Sequence, residues 1–570
     1  MAYGLRRLGL AAVTGLALAA TATTLSAQEL IFVDDFETRF GGVPETDGEA
    51  ARFLTQATFG PTSGDIQALR ASSYSNWIDA QMALPPTRIV PYLDFIASID
   101  EPVFQNTRLE AWWENAVNAP DQLRQRVAYA LSQILVVSDR SAALDIQAYS
   151  VAHYYDLLID SAFGNYRDLL GYMTRTPAMG TYLSMIANRA PDVALNIRPD
   201  ENFAREILQL FSIGLVMLNA DGTPVLDNGV PIPSYDQFNI KTFAHVFTGW
   251  HFAGCVDFNF CGPGGGDSVG WTQPMQPFDA FHHVEPDADP DNDSFLLGFS
   301  RPQGGNAAGN LALALDNIFS HPNVGPFLVR RLIQNLVTSN PSPAYIARVS
   351  AVFANNGNGV RGDLGAVVRA ILLDVEARTG HLDDPENFGK VREPIMRQTH
   401  LWRAFNGASA DGRYRDHNPE GNYGQAPNRS PSVFNFYLPD YQAPGEIAGA
   451  DLYSPELQIA TETFVTRTAN RLVGLSVFDH VGSPFQQNPP PDRVLIDFTA
   501  IQGLAADPND LLDHLDALLL NGLMSAQMRG VLLPYLQAIP FTAGNDPGGR
   551  RRTWEAIHLI ITSPEYSVQK

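Results

Sequence analysis

Residues 199–214 hold the densest run of chemistry-bearing side chains, Pro199-Asp200-Glu201-Asn202-Phe203-Ala204-Arg205-Glu206-Ile207-Leu208-Gln209-Leu210-Phe211-Ser212-Ile213-Gly214. Asp200 suits a helix N-cap, Glu201 the positive end of the helix, and Gly214 a left-handed stop. At about 100° per residue, Phe203, Ile207, Leu210, Phe211 and Gly214 share one face, and Asn202, Glu206 and Gln209 border it as a polar stripe. Two readings stay open. In the first, the segment is a capped core helix whose Glu201–Arg205 pair is worth a few tenths of a kcal/mol at most. In the second, the Glu206–Asn202 edge opens onto a cleft, with Glu206 as acid/base or ligand and Asn202, together with Arg205 on the opposite side of the helix, as further catalytic candidates.

Four of the twelve histidines, His245, His251, His282 and His283, fall within 39 residues and could converge on a metal. Their spacing matches no standard zinc pattern and His-Glu-x-x-His is absent, so satisfied structural histidines are the competing reading. Asp287, Asp289, Asp291 and Asp293 place carboxylates at alternate positions of one loop, which suits calcium. Asn292 and Gly298 stand where an EF-hand needs Gly and Glu, so the choice is a looser calcium site or a solvated acidic loop. A divalent metal, calcium or a transition metal, is thus the only cofactor the side chains suggest. Cys255 and Cys261 are the only cysteines; with five residues between them, they are too far apart for a redox Cys-x-x-Cys and too few for zinc, so a loop-closing disulfide is expected. Gly357-Asn-Gly359-Val-Arg-Gly362 follows a helix rather than a strand and reads as a helix–helix loop, not a dinucleotide site. Trp112, Trp113, Trp250 and Trp402 could line a sugar-binding cleft or fill the core.

The elements that must position these groups are overwhelmingly helical from Glu49 onward. Ser342-Pro343 and Ser454-Pro455 each place an N-cap before a proline at the first helical position, predicting helices over 343–354 and 455–474. Asn521-Gly522 ends a helix that begins near Asp510, Ser525 starts another, and 551–562 is the last. Ser234-Tyr235-Asp236-Gln237 reads as a capping box for a helix ending at Phe247. Between Gly214 and Ser234, Asp221-Gly222 and Asn228-Gly229 separate short apolar runs and predict one or two hairpins. Residues 251–310 and 404–450, rich in Gly, Pro, Asn and Asp, are two long irregular insertions. The expected fold is a mainly α, multi-helix globular body with a small β-hairpin insertion and two long loops.

Arg6 and Arg7 precede an apolar run from Leu8 to Leu25 and then Ser26-Ala27, the pattern of a signal peptide cleaved after Ala27. Residues 28–48 then form an acidic spacer, and 49–568 one helical domain. No later segment is apolar for the ~18 residues a membrane span needs. The mature chain is expected to be exported, periplasmic or secreted, without a stable membrane span. With 38 basic against 61 acidic side chains and a net charge of −23, nucleic acid is excluded as a partner. Only three basic residues are lysines: Lys241, Lys390 and Lys570.

Several pieces, taken in order, resemble the large bacterial domain-of-unknown-function 1800 family. They are Ala51-Arg52-Phe53-Leu54-Thr55-Gln56-Ala57-Thr58-Phe59-Gly60 with Trp77 and Gln81, then Glu201-Asn202-Phe203-Ala204-Arg205-Glu206, Thr248-Gly249-Trp250 and Leu297-Gly298. His321-Pro322-Asn323 with Pro326-Phe327, Gly389-Lys390 with Glu393-Pro394, and Ser432-Val433-Phe434 complete the set. The resemblance spans roughly 49–568 and implies a mostly helical exported bacterial protein. It also implies a partner, a sulfatase-like exported protein of the unknown-function 1501 family, whose genes commonly lie beside it. It supplies no reaction. The chain departs from the family pattern at Asn239, where Asp is usual, and at Asp293-Ser294, where Lys is frequent.

Two functions follow. The favoured one is a non-catalytic envelope or secreted protein acting with a partner in export, assembly or surface-polymer handling. The alternative is a metal-assisted hydrolase of an extracellular polymer, with Glu206 as acid/base and the four histidines as ligands.

Overall fold

The computed structural model describes residues 41–261, 268–284, 296–299, 304–541 and 549–570. The leader at 1–27, most of the spacer and Asp287, Asp289, Asp291 and Asp293 lie outside the described residues. Among those described, the body is built of α-helices, and the strands are three antiparallel pairs of two residues each.

Helix boundaries follow the capping chemistry. Thr46 accepts from the Glu49 amide to open the Asp47–Ala57 helix, and Ser342 with Pro343 opens Pro343–Ala354 over the expected residues. The folded body therefore begins a few residues before Glu49, and Arg70 holds both Asp47 and the Pro44 carbonyl. Asn521 takes the left-handed conformation that ends Pro508–Leu520, and Arg550–Ile561 is the last helix. Two boundaries differ from the sequence reading. Pro455–Gln458 is a single 3-10 turn, and the α-helix starts only at Glu462, capped by Thr461. The capping box at 234–237 belongs to Asp236 and Asn239 instead, while the Ser234 hydroxyl donates to the Gly214 carbonyl. Asn239, one of the departures from the family pattern, is thus a helix-capping residue here.

The core is one continuous apolar cluster running from Ala50 to Tyr566. At its centre lies the Gln122–Ile134 helix, every residue of which is buried. It packs against Asp47–Ala57, Tyr74–Ala83, Gln105–Asn118, Ala148–Ser161 and Val324–Leu336. Phe59, Trp112, Trp113, Tyr129 and Trp402 form an aromatic seam with ring centroids 5.0–5.8 Å apart. All four tryptophans considered for a sugar cleft, Trp250 included, are buried, so the core reading holds for them. Gly60, at φ +120°, passes so close to His400 that a Cβ would sit 2.6 Å from it.

The hairpin expected between 214 and 234 is present, Leu226–Asp227 pairing with Val230–Pro231 around Asn228-Gly229. Asn323 fastens it to the body: its amide donates to the Ile213 and Val216 carbonyls at 2.8 and 2.7 Å, and its Oδ1 accepts from the Leu218 amide. Lys390–Val391 pairs with Val568–Gln569, drawing the chain's end against the Gly389-Lys390 corner. Gly389 must be glycine there, because a Cβ would lie 2.4 Å from the Gln569 carbonyl.

Residues 404–450 are irregular, as expected, but they are not an excursion from the body. Arg108 and Arg429 both grip Asp139, at 2.8 and 3.0 Å. Asn428 donates to the Val137 carbonyl and Ser138 to that of Ser430, which ties this segment to the body by buried hydrogen bonds. No helix among the described residues is long and apolar enough to cross a membrane.

Candidate functional site

The residues singled out from sequence fall in several places. The Asn202–Gln209 helix forms with Phe203, Ile207 and Leu208 buried, and the Asp200 carboxylate accepts from the Asn202 amide. Arg205 pairs with Glu201 at 3.2 Å on the outer side, and Asn202 is exposed. Glu206 is the exception on this helix. It is only 5% exposed, and its Oε2 has no hydrogen-bond partner. Burial lifts its carboxyl above the ordinary range, with Arg205 opposing. Tyr182 nearby is pushed up to about 12, by burial first, while a hydrogen bond with Ser430 opposes and the Glu206 charge adds to the rise.

The four histidines do not gather into one ligand set among the described residues. His251 Nδ1 accepts from the Phe252 amide at 2.9 Å and lies 2.9 Å from Cys261 Sγ. His282 is held 3.0 Å from the Thr248 carbonyl through Nδ1 and 2.9 Å from the Asn310 amide through Nε2, the pattern of a neutral ring protonated at Nδ1. His245 and His283 lie against each other with ring centroids 4.4 Å apart and planes tilted by 47°. The one group of potential ligands close enough to share an ion, among the described residues, is His251 with Cys255 and Cys261. Those two sulfurs are joined as the expected disulfide, which removes the thiolates a metal would need.

A different constellation emerges where segments far apart in sequence meet. Lys390 is buried and faces two buried carboxylates, Glu456 Oε1 at 2.9 Å and Glu393 Oε1 at 3.9 Å, and it also donates to the Asn335 carbonyl at 2.9 Å. Glu393 is well supplied with donors: Tyr129 at 3.0 Å, Gln133 at 3.1 Å and Gln425 at 2.6 Å. Gln133 in turn accepts from Tyr437 and Asn435 at 2.9 and 3.1 Å. Glu456 is less well supplied. Its Oε2 is buried and unpartnered, and its carboxyl is pushed above its usual range by burial, with Lys390 opposing and the Glu393 charge reinforcing the rise. Burial and the Glu393 charge also drive the Tyr129 and Tyr437 phenols well above theirs, so both remain hydrogen-bond donors.

Beside this network lies a cavity of about 70 Å³, lined among others by Gln133, Arg331, Gln334, Phe434, Tyr437 and Glu456. Gln334 spends its amide hydrogens on the Ser339 and Pro439 carbonyls, leaving Oε1 buried and unpartnered. Arg331 stacks over the Phe327 ring at 3.6 Å and makes no ion pair among the described residues, and burial lowers it to about 9, with Arg330 adding to the fall. Phe434 stands at the mouth, 45% exposed. Leu210, one turn beyond Glu206, lines the same cavity.

The sequence carried partial signals of this pocket. Gly389-Lys390, Glu393-Pro394 and Ser432-Val433-Phe434 stood among the pieces of the family resemblance. Glu456 read only as the first turn of a helix, and Gln133, Arg331 and Gln334 carry no local motif.

No curated protein and no solved structure matches the chain. A family model described as "Protein of unknown function (DUF1800)" matches residues 52–568, nearly the whole chain. The protein therefore belongs to the DUF1800 family.

Proposed function

We propose that this is an exported, non-catalytic recognition protein that works with a partner in export, assembly or surface-polymer handling, and that the pocket beside the Lys390–Glu393–Glu456 network is its recognition element. One observation carries the reading. The pocket's inner groups hold one another, while two residues of its lining each keep a buried acceptor, Glu456 Oε2 and Gln334 Oε1, without a donor. A buried polar atom without a partner costs about 1–3 kcal/mol, a cost that a ligand donor would relieve. Export rests on the Arg6-Arg7 leader and its apolar run, and the loop disulfide is compatible with an oxidising compartment. The sulfatase-like exported protein of the 1501 family is the partner to test first. Tagged mature protein, expressed with that protein in its native envelope, should retain it or a surface polymer through washes. Recovery of neither from envelope or medium contradicts the proposal.

A second reading, the metal-assisted hydrolase, is favoured by one feature, the raised and unpartnered carboxyl of Glu206, which is the property a general acid needs. It requires Glu206→Gln to abolish turnover of an extracellular polymer and a transition metal to copurify near one per chain. Wild-type rates from Glu206→Gln would end it.

A further inference from the structure

The chemistry of the cavity narrows what it can hold. A metal ion or an ammonium group would sit against the Arg331 guanidinium, and Lys390, 2.9 Å from Glu456, already takes up the one carboxylate of the lining. An anion would meet the Glu456 carboxylate, whose second oxygen is buried without a donor. Either charge is opposed by part of the wall, and desolvating it would add to the cost. The wall instead asks for a neutral group that both donates and accepts. Glu456 Oε2 and Gln334 Oε1 need donors, while Arg331, without an ion pair among the described residues, has hydrogens to give. Hydroxyl groups do both from one atom. The rim adds a second requirement, because Phe434 offers a half-exposed ring beside these polar groups. A molecule with hydroxyls on its edge and C–H groups on its face meets both.

We propose, resting on the recognition reading above, that this pocket binds a neutral sugar residue of a polysaccharide. Adjacent hydroxyls donate to Glu456 Oε2 and Gln334 Oε1, a sugar oxygen accepts from Arg331, and the apolar face of the ring lies on Phe434. The cavity is too small for a whole hexose. It takes the hydroxyl edge of one unit, and the rest of the polymer runs across the surface past Phe434.

The test titrates the full mature protein with neutral hexasaccharides (cello-, malto-, xylo- and manno-) by calorimetry and ligand-observed NMR, with calcium, phosphate and a glucosamine hexamer as charged controls. At least one neutral series should bind, with none of the charged controls competing. Phe434→Ala should weaken it about tenfold and Gln334→Leu about five- to tenfold, as expected for one stacking contact or one buried hydrogen bond. Phe434 is at the surface, so its variant keeps the test valid even if Gln334→Leu fails to fold. Absence of binding by every neutral series at millimolar concentration overturns the sugar assignment, as does binding indifferent to Phe434→Ala or displaced by calcium or phosphate. If the wild type retains its partner in the envelope while all sugars fail, only the sugar class falls. If it retains neither partner nor polymer, the recognition reading falls with it.

Discussion

Glu206 and Glu456 share an unusual condition, a buried carboxyl with one oxygen unpartnered and a pKa that burial raises above the ordinary range. A carboxyl whose folded pKa is raised opposes folding above its unfolded pKa, and that penalty disappears as pH falls through the folded value. Glu206→Gln should therefore stabilise the protein at pH 7, by about 1 kcal/mol, the scale of one buried polar group relieved of an unmet demand. The gain should shrink on acidification, which melting curves at pH 7 and pH 4.5 would show. A destabilised variant at pH 7 would mean that Glu206 is paired in solution. Sequence could place Glu206 on the polar edge of its helix, because helical periodicity is local. It could not reveal that Glu456, 250 residues later, suffers the same way, because that depends on which turn buries it.

The strap at 404–450 shows how an element with no periodicity can still be fixed. Arg413 binds Glu110 at 2.7 Å and Glu101 at 2.7 Å, and Tyr92 and His417 add hydrogen bonds to Glu110. Burial works against the Glu110 anion, but the bonds from His417, Arg413 and Tyr92 outweigh it and hold the carboxyl below its ordinary range. Stability from such a group is present above its unfolded pKa and is lost as pH falls through the folded value. Glu110→Gln should cost about 3 kcal/mol at neutral pH, the scale of breaking a buried pair. Its cost should fade toward pH 3, with protease cutting first within 404–450. A variant whose strap is as protected as the wild type's would remove Glu110 as the anchor. The helices on either side were legible from their caps, Pro343–Ala354 to the residue, because a cap is a local signal. Pro455–Gln458 was misjudged as the start of a long helix for the same reason: Ser-Pro marks a helical turn without saying how many follow.

Over the full chain, pieces that looked independent in sequence turn out to serve one centre. Lys390, Glu393 and Val433-Phe434 converge beside the fully buried Gln122–Ile134 helix, with the chain's end paired to Lys390–Val391. Lys390 is the keystone of that arrangement. Lys390→Met should destabilise the whole molecule by about 3–5 kcal/mol, since it strands two buried carboxylates. Combining it with Glu456→Gln should restore part of the loss, measured by urea unfolding; simple additivity would contradict the pairing. The mainly α architecture was readable because amphipathic periodicity survives in each helix. The pocket was not, because its lining comes from segments hundreds of residues apart whose meeting only tertiary packing decides.

Recognition is assigned to the Phe434-rimmed pocket and not to the Glu206 edge or the histidines. Retention of partner or polymer from native envelope by wild type, Phe434→Ala, Glu206→Gln and His251→Ala decides it. Retention should fall about tenfold for Phe434→Ala and stay at the wild-type level for the other two. Full retention by Phe434→Ala, with loss in Glu206→Gln or His251→Ala, would contradict it.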